Sequence, residues 1–309
     1  MQMNKNGIYI KEPTTKQAVL ATLAYFNIFG IPLTRHELSE YLIFKTVDQN
    51  KIDIYLKESP LIRSEDGYFS LGLDKRDFQA KFDRSKQFWK KVMRFQFLFS
   101  ICPFVKLVCV CNSLCINATD QNSDIDLLVI TKKNRLFMAR LFITLLTSIF
   151  GVRRHGNKIT KRFCLSFFIS ENNLDLSKIA IEPHDIYLAY WIKTLQPISG
   201  DYETYEKLLK ENGGFLKSYF PNPALPNKRY FRKTAAPVNT LKNIFEKMLG
   251  ASSLNEKIRA YQLWRAHSKM EALPDKSGTI ISGEMLKFHD NDLRNQIKDN
   301  WESALKKIF

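Results

Sequence analysis

Two acids one residue apart, Asp124 and Asp126, sit in "CNSLCINATDQNSDIDLLVIT", residues 111–131. The stretch opens on small and polar residues and closes on a run of Leu, Val and Ile. On an extended chain alternate side chains share a face, so both carboxylates point one way. Ile125, Leu127 and Val129 point the other way, into a core. Leu128 and Ile130 continue the acid face further along, where a covering helix can bury them. Two like charges side by side resist desolvation, and a cation between them removes the conflict. Carboxylate oxygens with open positions suit Mg²⁺, or Mn²⁺ in its place, with the remaining sites left to water and substrate phosphates.

Upstream, a strand ending at Cys111 gives way to Asn112-Ser113-Leu114, a tight turn that presents Ser113. Its hydroxyl and the neighbouring backbone N–H groups are the groups that hold a phosphate. Ten residues then separate Ser113 from Asp124, enough for a helical turn and a return to the neighbouring strand. Arg140 interrupts an apolar helix and needs a partner, either an acid of the core or a nucleotide phosphate. Lys132 and Lys133 fit a solvated loop as well as a phosphate site. His36, His155, His184, His267 and His289 show no ligand-like spacing. In "NKRYFRK" (227–233) basic and aromatic residues interleave, a pattern that can stack on bases, though an exposed linker is the favoured reading.

The elements that must position these groups follow from periodicity. Residues 14–30 carry apolar residues at helical spacing and end at Gly30. A second helix spans 32–43, with Thr34 and Glu37 as a capping box. A third fits 48–58, and Asp66-Gly67 marks a hairpin. Three helices and then a hairpin are the order of a winged helix-turn-helix, placed at 1–73. An amphipathic connecting helix is expected at 74–101. From Pro103 the pattern turns α/β, with strands at 105–111, 124–131 and 162–170 and a helix at 134–151 capped by Asn134. Residues 181–309 read as a C-terminal helical domain, with helices near 183–195, 202–211, 238–249, 254–271 and 290–307. Ser253 and Glu256 form a further capping box there. Gly213-Gly214 and residues 220–233 break the pattern.

Composition sets outer bounds. The chain has 309 residues, 45% of them hydrophobic, and a net charge of +16 spread along its length. That favours contact with phosphates without supplying a basic tail. The five cysteines are odd in number and clustered, which excludes a disulfide framework and points to free thiols in a reducing cytoplasm. The spacing around Cys109, Cys111 and Cys115 does not match a zinc site. Residues 95–111 and 136–152 are apolar, but Lys106 and Arg140 mark them as buried elements and not membrane spans. The N-terminus lacks the apolar stretch of a signal peptide.

The order of turn, gap, acid pair and apolar strand resembles the nucleotidyltransferase superfamily that includes DNA polymerase β. "NSDIDLLVIT" is similar to its minimal bacterial members. The family's Gly-Ser turn matches Asn112-Ser113, and its Asp-x-Asp matches Asp124-Ile125-Asp126. "LAYFNIFGIPLT" (23–34), "KKNRLFMARLF" (132–142) and "YFPN" (219–222) extend the resemblance to bacterial proteins that join a winged helix, such a domain and a helical tail.

The resemblance implies a nucleotidyltransferase-type mixed sheet at 102–180, a nucleoside triphosphate and Mg²⁺ as partners, and an acceptor hydroxyl on a small molecule or protein. It implies Asp124 and Asp126 as metal-holding catalytic residues, and Asn112, Ser113 and Arg140 as nucleotide contacts. Two departures stand out. The family's Gly is Asn112, and the strand that usually carries a third carboxylate offers only Cys164 or Ser166, with Glu171 and Asp120 as weak substitutes. The competing expectation is a nucleotide- or DNA-binding regulator with the winged helix as output. For that helix, weak and salt-dependent nucleic-acid contact is expected, because Asp48, Asp53 and Glu58 offset its basic residues.

Overall fold

The computed structural model describes residues 2–4, 7–9, 13–46, 49–221, 228–250, 252–271, 276, 278–288 and 292–309. His289 and the proline-rich part of the 220–233 segment lie outside them. A small antiparallel pair, β1 (Gln2–Asn4) and β2 (Gly7–Tyr9), comes first. The N-terminal unit follows: α1 (Thr15–Ile28), β3 (Leu33–Thr34), α2 (Arg35–Tyr41), α3 (Gln49–Glu58), β4 (Arg63–Glu65) and β5 (Tyr68–Ser70). Its three strands form an antiparallel sheet in the order β3-β5-β4. Thr34 and Glu37 make the expected capping box at α2. Asp66 and Gly67 both take positive φ, 50° and 79°, as a two-residue hairpin turn requires.

Next come α4 (Lys75–Phe95) and α5 (Phe97–Ile101), which replace the single connecting helix expected at 74–101. The helix divides at Gln96, whose buried side-chain amide donates to the carbonyls of Ile198 and Tyr230. The central elements then appear in order: β6 (Val105–Val110), a 3₁₀ turn (Asn112–Ile116), β7 (Ile125–Thr131), α6 (Leu136–Ile149) and β8 (Phe163–Ser170). Arg135, and not Asn134, is the N-cap of α6, while Asn134 takes φ 57° in the loop before it.

The C-terminal region differs most from expectation. It supplies helices α7 (Ile186–Thr194), α8 (Tyr202–Glu211), α9 (Gly213–Tyr219), α10 (Ala236–Met248), α11 (Ser252–Glu271) and α12 (Arg294–Ile308). It also supplies β9 (Gln196–Gly200), β10 (Arg232–Lys233), β11 (Thr279–Ile281) and β12 (Met285–Phe288). These strands join the central ones in one seven-stranded mixed sheet, β10-β9-β6-β7-β8-β12-β11. The reading of 181–309 as a separate helical domain is therefore corrected. Strands of two to five residues between helices carry too little periodicity to announce themselves, and only their neighbours' unpaired edges place them. Gly213 and Gly214 open α9, where a break was expected, and Ser253 lies inside α11.

The sheet separates two cores. Ile125, Leu127 and Val129 face one with α5 and α6, and Leu128 and Ile130 face the other with α7, α8 and α12. That second core runs without interruption into α1, which is apolar all round and buried from Ala18 to Phe26. Trp301 of α12 donates its indole N–H to the Ala21 carbonyl at 2.9 Å, and Tyr190 of α7 stacks on Tyr25 at 4.0 Å. The N-terminal unit, from Ala18 to Leu71, thus shares its core with the sheet. Among the described residues no helix is long and apolar enough to cross a membrane.

Candidate functional site

The turn after β6 begins with Asn112 at φ 60°, a left-handed conformation that Asn enters more readily than most residues. Both ends of its amide are engaged. Nδ2 donates to Asp126 Oδ2 at 2.8 Å, while Oδ1 accepts from Trp191 Nε1 at 2.6 Å and from the Tyr187 hydroxyl at 3.3 Å. The Cys111 N–H also donates to the Asp126 carbonyl at 3.1 Å. Asn112 therefore ties the turn, the acid strand and α7 together, and its side chain sits where a bare Gly would leave space. Ser113 is half-buried beside it and lines a cavity of about 270 Å³. That cavity is walled by aromatic side chains, including Tyr25 of α1, Phe29 at its C-cap, and Tyr187 and Trp191 of α7.

Asp124 and Asp126 are brought together with Cys164 of β8, their ligand atoms lying within 4.8 Å of one another. Parallel pairing of β7 and β8 sets Asp126 opposite Cys164. A register shift then follows, so that Phe167 and Ile169 join the core on the acid face while Phe168 faces the other one. Strict alternation of faces along β8 fails for that reason, since one extra residue turns every later side chain over. Glu171 and Asp120 do not complete the cluster. Glu171 lies at the far end of the sheet, paired with Lys106 at 3.5 Å, and Asp120 is exposed and 3.9 Å from Lys81.

Burial, and then the neighbouring Asp124 charge, push Asp126 up to about 6. Burial and the two carboxylates push the Cys164 thiol up, so it stays protonated at neutral pH and cannot act as a base. Asp124 is answered by Arg154, which the sequence reading passed over. Arg154 donates Nη1 to Asp124 Oδ2 at 2.6 Å and also reaches Cys164 Sγ at 3.6 Å. Burial alone would lower this guanidinium, and the Asp124 charge, Cys164 and the hydrogen bonds to both together raise it instead. Its sequence signal was weak: an Arg-Arg pair after an apolar helix reads as a solvated end.

Arg140 is not part of this cluster. Its Nη1 donates to Gln262 Oε1 of α11 at 2.9 Å, and the guanidinium stacks 5.0 Å from the Phe288 ring. Burial and the charges of Arg153 and Arg265 pull it down to about 10. The partner that this arginine in an apolar helix finds within the fold is Gln262 and the aromatic face of Phe288.

The donor set can be tested against a metal. Two carboxylates are what a Mg²⁺ ion takes from protein when water and phosphates supply the rest, so Asp124 and Asp126 fit one Mg²⁺ or Mn²⁺. Cys164 adds a soft donor in place of a third oxygen, which moves the set away from two hard cations. The cysteines are all free, as expected. No family model, curated protein or solved structure matches the chain, so the reading of this site stands on its own geometry.

Proposed function

We propose that the chain is a nucleotidyltransferase of the DNA polymerase β type, with a winged helix at its N-terminus. It binds a nucleoside triphosphate with Mg²⁺ or Mn²⁺ and passes the nucleotidyl group to a hydroxyl of a small molecule or protein. The observation that carries the reading is the meeting of the Asn112-Ser113 turn with the acid pair, through the bond from Asn112 to Asp126. The antiparallel pairing of β6 with β7, the parallel pairing of β7 with β8 and the order β3-β5-β4 support it further.

In this mechanism Asp124 and Asp126 would hold the metal, which neutralises charge on the phosphates and on departing pyrophosphate. Ser113 holds a phosphate oxygen. Asn112 fixes the Asp126 carboxylate in one orientation, and Trp191 and Tyr187 fix Asn112 in turn. Arg154 screens Asp124 from its neighbour while no phosphate is bound. Cys164 favours a second reading, in which nucleotide is bound without turnover and the N-terminal unit is the output. A protonated thiol stands where a hydroxyl-activating carboxylate is usual.

Calorimetry with each common nucleoside triphosphate, with and without Mg²⁺ or Mn²⁺, tests the proposal on wild type and D124N/D126N. Wild type is expected to bind in a cation-dependent way and the double variant to lose that dependence. Absence of any binding at millimolar nucleotide would refute nucleotide recognition. Binding without pyrophosphate release across a panel of hydroxyl acceptors would select the second reading.

A further inference from the structure

A second cleft, of about 500 Å³, opens at the other end of β6 and β7. Six residues of extended chain from Asp126 to Lys132 put it roughly 20 Å from the acid pair. Five lysines line it: Lys106, Lys132, Lys228, Lys233 and Lys242. They arrive from β6, the end of β7, the approach to β10, β10 itself and α10, so the convergence is tertiary. Lys106 is answered by Glu171 at 3.5 Å and Asp201 at 3.4 Å, and Lys132 by Glu246. Among the described residues the other three have no carboxylate in ion-pairing reach. Lys242 donates to the Val105 carbonyl, Lys228 lies 4.5 Å from the Tyr202 ring, and Lys233 is exposed. Burial pulls the Lys242 amine down, with Lys132 and Lys106 adding to it and the Glu246 charge opposing it.

The cleft is shaped as well as charged. Gly200 at its edge has φ 116°, and a side chain there would meet the Lys106 carbonyl oxygen at 2.2 Å, so only glycine lets β9 lie this close to β6. Asn239 and Asn243, one turn apart on α10, and Thr234 before it add neutral donors to the lining. The N-cap of α10 is Ala235, which provides no side-chain acceptor for the first-turn N–H groups.

We propose that this cleft binds a small, multiply phosphorylated ligand, independently of the acid pair. Three ammonium groups without an ion-paired carboxylate, amide donors and a concave floor suit two or three linked phosphates. Asp201 and Glu203 share the lining and oppose an extended nucleic-acid backbone, which favours a compact ligand.

The test is titration of the full chain with tripolyphosphate in EDTA, which separates this site from any cation-dependent binding at Asp124 and Asp126. Saturable one-to-one binding is expected. Replacing exposed lysines in K228A/K233A leaves the fold intact and should weaken it by about tenfold or more, as lost charge-assisted bonds require. K242M should weaken it further, and D124N/D126N should leave it unchanged. No binding at millimolar tripolyphosphate would overturn the proposal, as would binding indifferent to K228A/K233A or lost in D124N/D126N. Displacement by a single-stranded oligonucleotide at lower concentration than tripolyphosphate would also overturn it, in favour of a nucleic-acid surface.

Discussion

Asn112 does two jobs that pull against each other. Its φ of 60° suits glycine, yet its side chain is the bond that holds Asp126. N112A keeps neither, and should lose about 2–3 kcal/mol in chemical denaturation through backbone strain and an orphaned Trp191 N–H. N112G relieves the strain and should be about 1 kcal/mol more stable than N112A. Asp126 gives a pH dependence of defined sign. Its folded value, about 6, lies above that of an unfolded aspartate, so the folded state holds the extra proton between them. Its contribution to stability is therefore greatest below pH ~4, falls as pH rises to about 6, and stays low beyond. D126N should remove that decline and be more stable than wild type at pH 7 by about 1–2 kcal/mol, read by urea titration at several pH values. A D126N protein less stable than wild type at pH 7 would mean the carboxylate is a net structural partner.

Helix α10 is built with its polarity reversed. Leu241, Ile244, Phe245 and Met248 recur at helical spacing, and a sequence reading turns that stripe inward. The structure exposes all four, with Met248 at 75%, and buries Glu246 and half-buries Lys242 instead. Glu246 accepts from the Phe104 N–H at 2.6 Å and pairs with Lys132, so a polar contact and not apolar area docks this helix. F245S/M248S should therefore change stability by no more than about 0.5 kcal/mol. E246A should cost about 2–3 kcal/mol, because it leaves a buried N–H and a lysine unanswered. Thermal denaturation of the two variants separates them, and the reverse order would show that the stripe is covered in the native state. The neighbouring β8 makes the same point about register: Cys164 was legible as one of two residues opposite the acid pair, but the bulge that follows it was not.

At the scale of the whole molecule, one core runs from α1 across the sheet face to α7, α8 and α12. Trp301 is its largest fully buried side chain and ties residue 301 to residue 21. W301A should cost about 3–5 kcal/mol. Its effect should spread to the N-terminal unit, so that circular dichroism and tyrosine fluorescence report one coincident unfolding transition at a lower midpoint. Two separated transitions would show that residues 1–73 hold a core of their own.

Local chemistry in the chain determined the acid pair at the start of β7, the turn at Asn112-Ser113, the capping box at Thr34 and the hairpin at Asp66-Gly67. Each depends on residues within a few positions of one another, and a strand's two-residue period or a turn's positive φ is written in that span. The tertiary structure decided which residues complete those features. Arg154 reaches Asp124 across thirty positions, Arg140 is taken up by Gln262, and β9 and β12 enter a sheet whose central strands lie far earlier in the chain. Those outcomes rest on the need of every buried charge and unpaired strand edge for a partner, and that need states that a partner must come without stating from where.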